Sequence, residues 1–179
     1  MHYSTTCPSP LGTITLVSEG SNIVGLRLAV HRFFEAAVKD CVEENPDLPV
    51  FVTTKKWLDA YFAGKNPAIS EVPLAPAGGE FRQTVWSLLC EIPYGQCTTY
   101  GEIAKKMAVR MNRKSMSGQA VGGAVGHNPI SIIIPCHRVV GSNGSLTGYG
   151  GGIKNKVKLL ELEGVDMSGF FIPTKGTAL

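Results

Sequence analysis

Between Gly64 and Gly79 the chain carries Pro67, Pro73 and Pro76 and ends on the Gly78-Gly79 pair. Proline removes a backbone donor and fixes φ, and paired glycines punctuate chains, so no regular element is expected to cross this span. It reads as an extended linker with a domain boundary. The expected domains are 1–75 and 80–170, within a total of 179 residues that suits one ordinary domain or two small ones.

Before the linker, residues 11–17 and 23–28 flank Glu19-Gly20-Ser21-Asn22 and carry a β-hairpin signal. Residues 33–43 are expected to be helical. From Val52 to Ala63, Trp57, Leu58, Tyr61 and Phe62 recur at helical spacing. Nothing in this half has catalytic spacing, and its aromatics read as core. After the linker, Phe81 to Ile92 is a helix with Phe81, Val85, Leu88, Leu89 and Ile92 on one face. Thr99-Tyr100-Gly101-Glu102 is a capping box opening another. Ser115 or Ser117 caps a short helix from Gly118 to about Gly126, and a last helix spans about Lys154 to Glu163, closed by Gly164. The expected class is an α/β N-terminal domain followed by a mostly helical C-terminal domain.

The two short helices after Thr99 resemble a helix-turn-helix. Gly118, Gly122, Gly123 and Gly126 sit in the second, at about 1 kcal/mol each relative to alanine. Such a helix persists where something must approach its backbone, either a packed neighbour or a DNA strand lying on a smooth face. Charge favours DNA. Residues 1–79 hold 6 Lys+Arg against 8 Asp+Glu, and residues 80–179 hold 11 against 6. Lys105, Lys106, Arg110, Arg113 and Lys114 cluster beside the glycine helix with no acid among them.

Ile130-Ser131-Ile132-Ile133-Ile134 reads as a buried strand. It runs into Pro135, and Cys136, His137 and Arg138 follow directly. Singly these are a small core residue, a satisfied polar group and a surface charge; together they point to a nucleophile site. Pro135 suits the first turn of a helix, which would set Cys136 at a helix N-terminus and favour thiolate. His137 supplies a base. Neighbours on a strand face opposite ways, so a helical start or a bridging water is needed to connect them. Tyr100 is either an acid or a core tyrosine. Glu163 reads as a solvated charge at a helix end. The loop Thr147 to Gly152 fits no phosphate-binding fingerprint but can cover a flat ligand.

Five cysteines without a C-x-x-C pair suggest a reduced, cytoplasmic setting without zinc, with Cys7, Cys41, Cys90 and Cys97 as packing residues. Neither a signal peptide nor a membrane span is expected.

Pro135-Cys136-His137-Arg138-Val139, with Ala120-Val121-Gly122-Gly123-Ala124, Asn128-Pro129, Gly148-Tyr149 and Leu159 to Gly164, resembles the methylated-DNA–protein-cysteine methyltransferases. These DNA repair proteins remove alkyl groups from O6-alkylguanine. The resemblance is strong over 80–165 and weaker over 1–79, where Pro8-Ser9-Pro10-Leu11-Gly12 and the hairpin carry it. It implies a ribonuclease-H-like N-terminal sheet and a helix-turn-helix in the second domain. Cys136 would be the alkyl acceptor. His137 would be its base through a water, oriented by Glu163. Tyr100 would donate a proton to the leaving guanine, and Asn128 would brace the turn. Val139, Tyr149 and Gly150 would border the base pocket.

The same resemblance implies double-stranded DNA bound through the minor groove with a flipped alkylated base, by a monomer. Gln119, Ala120, Gly122, Gly123, Arg113, Lys114 and Arg138 would form the DNA surface. Neither cofactor nor metal is expected, and a thioether on Cys136 has no route back, so each molecule would react once. Two departures stand out: Gln119 occupies the place where well-known members have an arginine that fills the extruded nucleotide's space, and Gly150 stands where some members carry serine. The alternatives are a non-catalytic DNA-binding module and a cysteine hydrolase using Cys136 and His137.

Overall fold

The computed structural model describes residues 1–29 and 42–174. Its N-terminal half is a four-stranded mixed sheet. Strands β1 (His2–Cys7), β2 (Ile14–Ser18) and β3 (Ile23–Leu28) form an antiparallel meander, and β4 (Val42–Glu44) joins β1 in parallel. The sheet order is β3-β2-β1-β4. The helix expected over 33–43 lies mostly outside the described residues; its last two, Val42 and Glu43, belong to β4. Helix α1 (Pro49–Phe62) opens with proline at its first position, where no amide is needed. It buries Phe51, Trp57, Leu58 and Tyr61.

The Pro/Gly stretch is extended as expected, but it is not a free linker. Ile23 N donates to Pro73 O (2.8 Å) and Ala75 N to Ile23 O (2.9 Å), so the stretch pairs with the edge of β3. Proline is tolerated there because an edge leaves one side of its backbone unpaired. Further along, Leu26 N donates to Pro129 O (2.9 Å). Both halves are thereby attached to one strand edge, and a single hydrophobic core runs from Ile14 in β2 to Leu159 near the C-terminus.

Helices α2 (Glu80–Cys90), α3 (Tyr100–Arg110) and α4 (Gly118–Gly126) pack on one another, and α5 (Ile153–Leu162) closes the second half. Trp86 is buried between α2 and α4, where its Nε1 donates to Ala124 O (2.9 Å). Thr99 caps α3 by accepting from Glu102 N (3.2 Å), while the Glu102 carboxylate pairs with Lys105. Ser117 caps α4. Lys105, Lys106 and Arg110 belong to α3 itself, so of the basic cluster only Arg113 and Lys114 lie in the connection to α4.

Candidate active site

The run Ile130–Ile134 is buried throughout, but it is a turn and not a strand. Ile133 N bonds Ser131 O (2.9 Å) across Ile132, whose φ is +73°. That is a γ-turn of the strained kind, in a region that β-branched residues rarely enter. Asn128 holds it. Its Oδ1 accepts from Ile130 N (3.0 Å), and its Nδ2 donates to Ile134 O (2.9 Å). An apolar run specifies burial; here the amide of a neighbouring side chain decides the backbone path. A second tight turn follows, with Cys136 N on Ile134 O (2.8 Å) across Pro135.

Cys136 therefore opens one short 3-10 turn, Cys136–Arg138, and not an α-helix. With its amide spent on Ile134 O and only one turn behind it, the helix-dipole route to thiolate is absent. The side chain is 6% exposed. Burial pushes its pKa up, partly offset by a hydrogen bond from Asn128 Nδ2 to Sγ (3.1 Å) and by the charge of Lys156. The resting group is a thiol that needs a base.

His137 is fully buried. Its Nε2 lies 2.6 Å from Glu163 Oε1, and a carboxylate accepts, so the proton sits on Nε2 and the lone pair on Nδ1. Nδ1 is buried without a hydrogen-bond partner among the described residues. Burial lowers the pKa of His137, while the hydrogen bond and charge of Glu163 pull it back. The result is a neutral imidazole with one free lone pair. No hydrogen bond joins it to Cys136 directly.

Glu163, read from sequence as a solvated helix-end charge, is 5% exposed and organises the site. Its Oε1 accepts from His137 Nε2, Arg138 Nη2 (3.0 Å) and Tyr61 OH (2.7 Å). Its Oε2 accepts from Arg138 Nε (2.9 Å) and Gly95 N (3.1 Å). Burial alone would raise its pKa, but the hydrogen bonds from His137 and Arg138, with the charge of Arg138, hold it at about 2.

Arg138 corrects an expectation. It was placed with the DNA-contacting residues, but it is buried, clamps Glu163 with two nitrogens and gives Nη1 to Ile92 O (2.7 Å). A guanidinium so paired has little left to offer a phosphate.

Tyr100 arrives beside the thiol because β5 (Thr98–Thr99) pairs in parallel with β6 (Val139–Val140). Its OH donates to Thr147 O (3.1 Å). Burial, then the nearby Cys136, raises its pKa and keeps it protonated. Gly148 has φ +85°, and any Cβ there would collide with the Tyr100 hydroxyl. Val139 and Tyr149 are buried, and Gly150 is partly exposed beside them.

On the other face, Gln119, Ala120 and Gly123 are exposed along α4 with Arg113 and Lys114 before them, and Gly122 is partly exposed. A Cβ at Gly118, Gly123 or Gly126 would meet nothing within 4 Å, and one at Gly122 would approach only Tyr100 (3.9 Å). Tight packing does not explain these glycines.

Three residues of this site escaped sequence reading. Tyr61 comes from α1 in the first half. Lys156 is fully buried in α5 and donates to Val139 O (2.5 Å) and Thr147 O (3.0 Å), with a pKa lowered by burial to about 8. Ser131 is buried close to both Cys136 and Tyr149 and draws the pKa of each group down against burial. Only the apolar-stripe position of Tyr61 and the i, i+3 placement of Lys156 before Leu159 hinted that they face inward. Among the described residues, no group of His, Cys, Asp and Glu could hold a metal ion, and no helix is long and apolar enough to cross a membrane.

A buried thiol, a neutral imidazole tied to a carboxylate, and a glycine-rich helix with basic neighbours define a protein with a cysteine nucleophile and an open, small-residue surface. Residues 80–165 match the 6-O-methylguanine DNA methyltransferase DNA-binding domain, and residues 1–76 match the ribonuclease-like domain of the same family. The methylated-DNA–protein-cysteine methyltransferase of Haemophilus influenzae is 42% identical over 161 residues, 90% of this chain and 86% of that protein. Its namesake from Mycobacterium bovis is 43% identical, over 91% of this chain and 92% of that one. The crystal structure of Mycobacterium tuberculosis OGT in complex with DNA superposes with a TM-score of 0.78 at 42% identity, covering 90% of this chain and 92% of that one. The chain belongs to the 6-O-methylguanine DNA methyltransferase family.

Proposed function

We propose that this protein repairs DNA by moving the alkyl group of O6-alkylguanine, and by extension O4-alkylthymine, irreversibly onto Cys136. The observation that carries this reading is the buried Cys136 thiol beside His137, whose tautomer Glu163 fixes so that Nδ1 is the basic atom. His137 takes the Cys136 proton through a water. Thiolate then attacks the alkyl carbon, the S–C bond forms, and the C–O6 bond breaks. Tyr100 gives its proton to the departing guanine, which cannot leave readily as an anion. Asn128 braces the acceptor turn and hydrogen-bonds the sulfur. Val139, Tyr149 and Gly150 border the base. Lys156 holds the loop over it through Thr147 O.

The base reaches Cys136 by being flipped from the duplex, at a cost of a few kcal/mol. On this reading α3 and α4 form the helix-turn-helix, and α4 lies in the minor groove, where its open glycines let the sugar-phosphate backbone approach. Gln119, Ala120, Gly122, Gly123, Arg113 and Lys114 are the DNA surface. The N-terminal domain ends near residue 75, its sheet is the ribonuclease-H-like element, and the second domain spans 80–170. One cytoplasmic monomer reacts once, with no cofactor.

A duplex carrying one O6-methylguanine tests the proposal. We expect one methyl group on the peptide containing Cys136 and a yield that stops at one equivalent of protein. No gain at Cys136 sinks the proposal, and a yield beyond one equivalent points instead to a turnover enzyme. A second outcome concerns Gln119, which is exposed on α4 and uncharged. Gln119→Arg is expected to bind duplex more tightly and to steepen the log–log salt dependence by about 0.9 for the added phosphate contact. Unchanged binding and an unchanged or slower transfer would mean that glutamine is no deficit at this position.

A further inference from the structure

From the Tyr61–Glu163–His137 geometry we infer that Tyr61, on helix α1 of the N-terminal half, is a positioning residue for the acceptor chemistry of the second half. This rests on the function proposed above. Tyr61 is buried, and its OH donates to Glu163 Oε1 at 2.7 Å while lying 3.4 Å from His137 Nε2. The oxygen it bonds is the one that fixes the imidazole. The tyrosine ring is itself fixed, stacked on Trp57 at 5.4 Å and nearly parallel, and edge-on to Tyr94 at 6.1 Å.

Burial and Glu163 both push the Tyr61 pKa up, so the hydroxyl stays a donor. A donor on Oε1 draws charge from the carboxylate and aims that oxygen at Nε2. Both effects keep His137 neutral, with its lone pair on Nδ1. The far side of Tyr61 forms a wall of a cavity of about 260 Å³ between the two halves, shared with Trp57, Tyr94, Ile133 and Arg138. The hydroxyl thus stands where the N-terminal half meets the site.

The groups facing His137 are Glu163 and Lys156 from α5 and its end, Arg138 and Cys136 from its own turn, Tyr149 from the loop, and Tyr61. Of these Tyr61 is the neutral donor on the shared carboxylate oxygen. Removing it leaves Glu163 more negative toward His137. The imidazolium is then favoured, so the acid limb of the rate profile moves to higher pH.

The experiment uses the full chain and a duplex with one O6-methylguanine. Single-turnover rates at saturating duplex are measured across pH, together with duplex affinity and Tm, for the native chain, Tyr61→Phe and Trp57→Phe. Tyr61→Phe keeps the ring stack and loses only the hydroxyl. It is expected to slow transfer about 10-fold, as for one charge-assisted hydrogen bond. It is also expected to move the acid limb up by about one unit, with duplex affinity unchanged. Trp57→Phe disturbs the same stack, so it should lower Tm and leave the limb in place.

An unmoved limb and native rate in Tyr61→Phe overturn the inference, as does an equal shift in Trp57→Phe. A Tyr61→Phe chain that fails to fold also overturns it, because the hydroxyl would then serve the fold and not the imidazole. A native chain that transfers no methyl group removes the proposed function itself, an outcome distinct from these.

Discussion

Cys136→Ala, mixed with a duplex carrying one O6-methylguanine, is expected to gain no methyl group and to bind that duplex with native affinity. The first half follows from chemistry. Displacement at an unactivated alkyl carbon needs a soft, strong nucleophile, and Cys90 and Cys97, the other thiols of the second half, have pKa values raised by burial, that of Cys90 to about 11. Neither has an imidazole beside it. The second half follows from geometry. Cys136 lies beneath the surface, whereas Gln119, Ala120 and Gly123 lie on it. Removing Sγ leaves Asn128 Nδ2 its bond to Ile134 O, so the acceptor turn keeps its main tie. Intact-protein mass and a binding titration read the two halves separately. Loss of both together would make Cys136 a structural residue.

Local patterns carried most of the fold. The helical spacing of Trp57, Leu58 and Tyr61 yields α1, and Thr99, Ser117 and Gly164 mark helix ends where the structure has them. Strand β1 was invisible because His2–Cys7 is mostly polar, with Thr5 its one buried residue; its place is fixed by β2 and β4. The Ile130–Ile134 run shows a different limit. Its hydrophobicity correctly demanded burial, but burial does not choose between a strand and two tight turns. Asn128, outside the run, makes that choice by bonding both of its ends.

The site divides along the same line. Cys136 and His137 are adjacent in sequence, so a local reading finds them. Glu163, Tyr61 and Lys156 act across long separations, and each alone looks ordinary: a helix-end acid, a core aromatic, a surface lysine. Arg138 failed for a related reason. Alone it read as a surface charge, and the resemblance set it on the DNA surface; only the fold shows that a buried carboxylate holds it. A charged residue next to a nucleophile is read more safely by asking which counter-charge could be buried with it.

That counter-charge gives the other large expected effect. Glu163→Gln should destabilise the protein by about 3–5 kcal/mol, the range for breaking a buried ion pair and leaving its partner uncompensated. Arg138 would lose its carboxylate, and His137 would lose the acceptor that fixes its tautomer. Transfer should therefore slow by about 100-fold or more, the usual share of a positioned base.

The pH dependence separates this from a packing defect. Glu163 titrates at about 2 in the folded chain against 4.5 for the free group. The unfolded chain therefore binds more protons between those values, and native stability rises with pH across them. The contribution, on the order of 3 kcal/mol, is complete above pH 4.5 and lost as pH falls toward 2. The depressed His137 pKa acts in the same sense, since a group held neutral by burial weakens the fold once solution favours its protonation below 6.5. Urea titrations from pH 2 to pH 7 should show the native chain losing stability through both windows and Glu163→Gln lacking the lower one. An identical low-pH slope in the two proteins would mean that the Glu163 carboxylate is not the group that ties this site together.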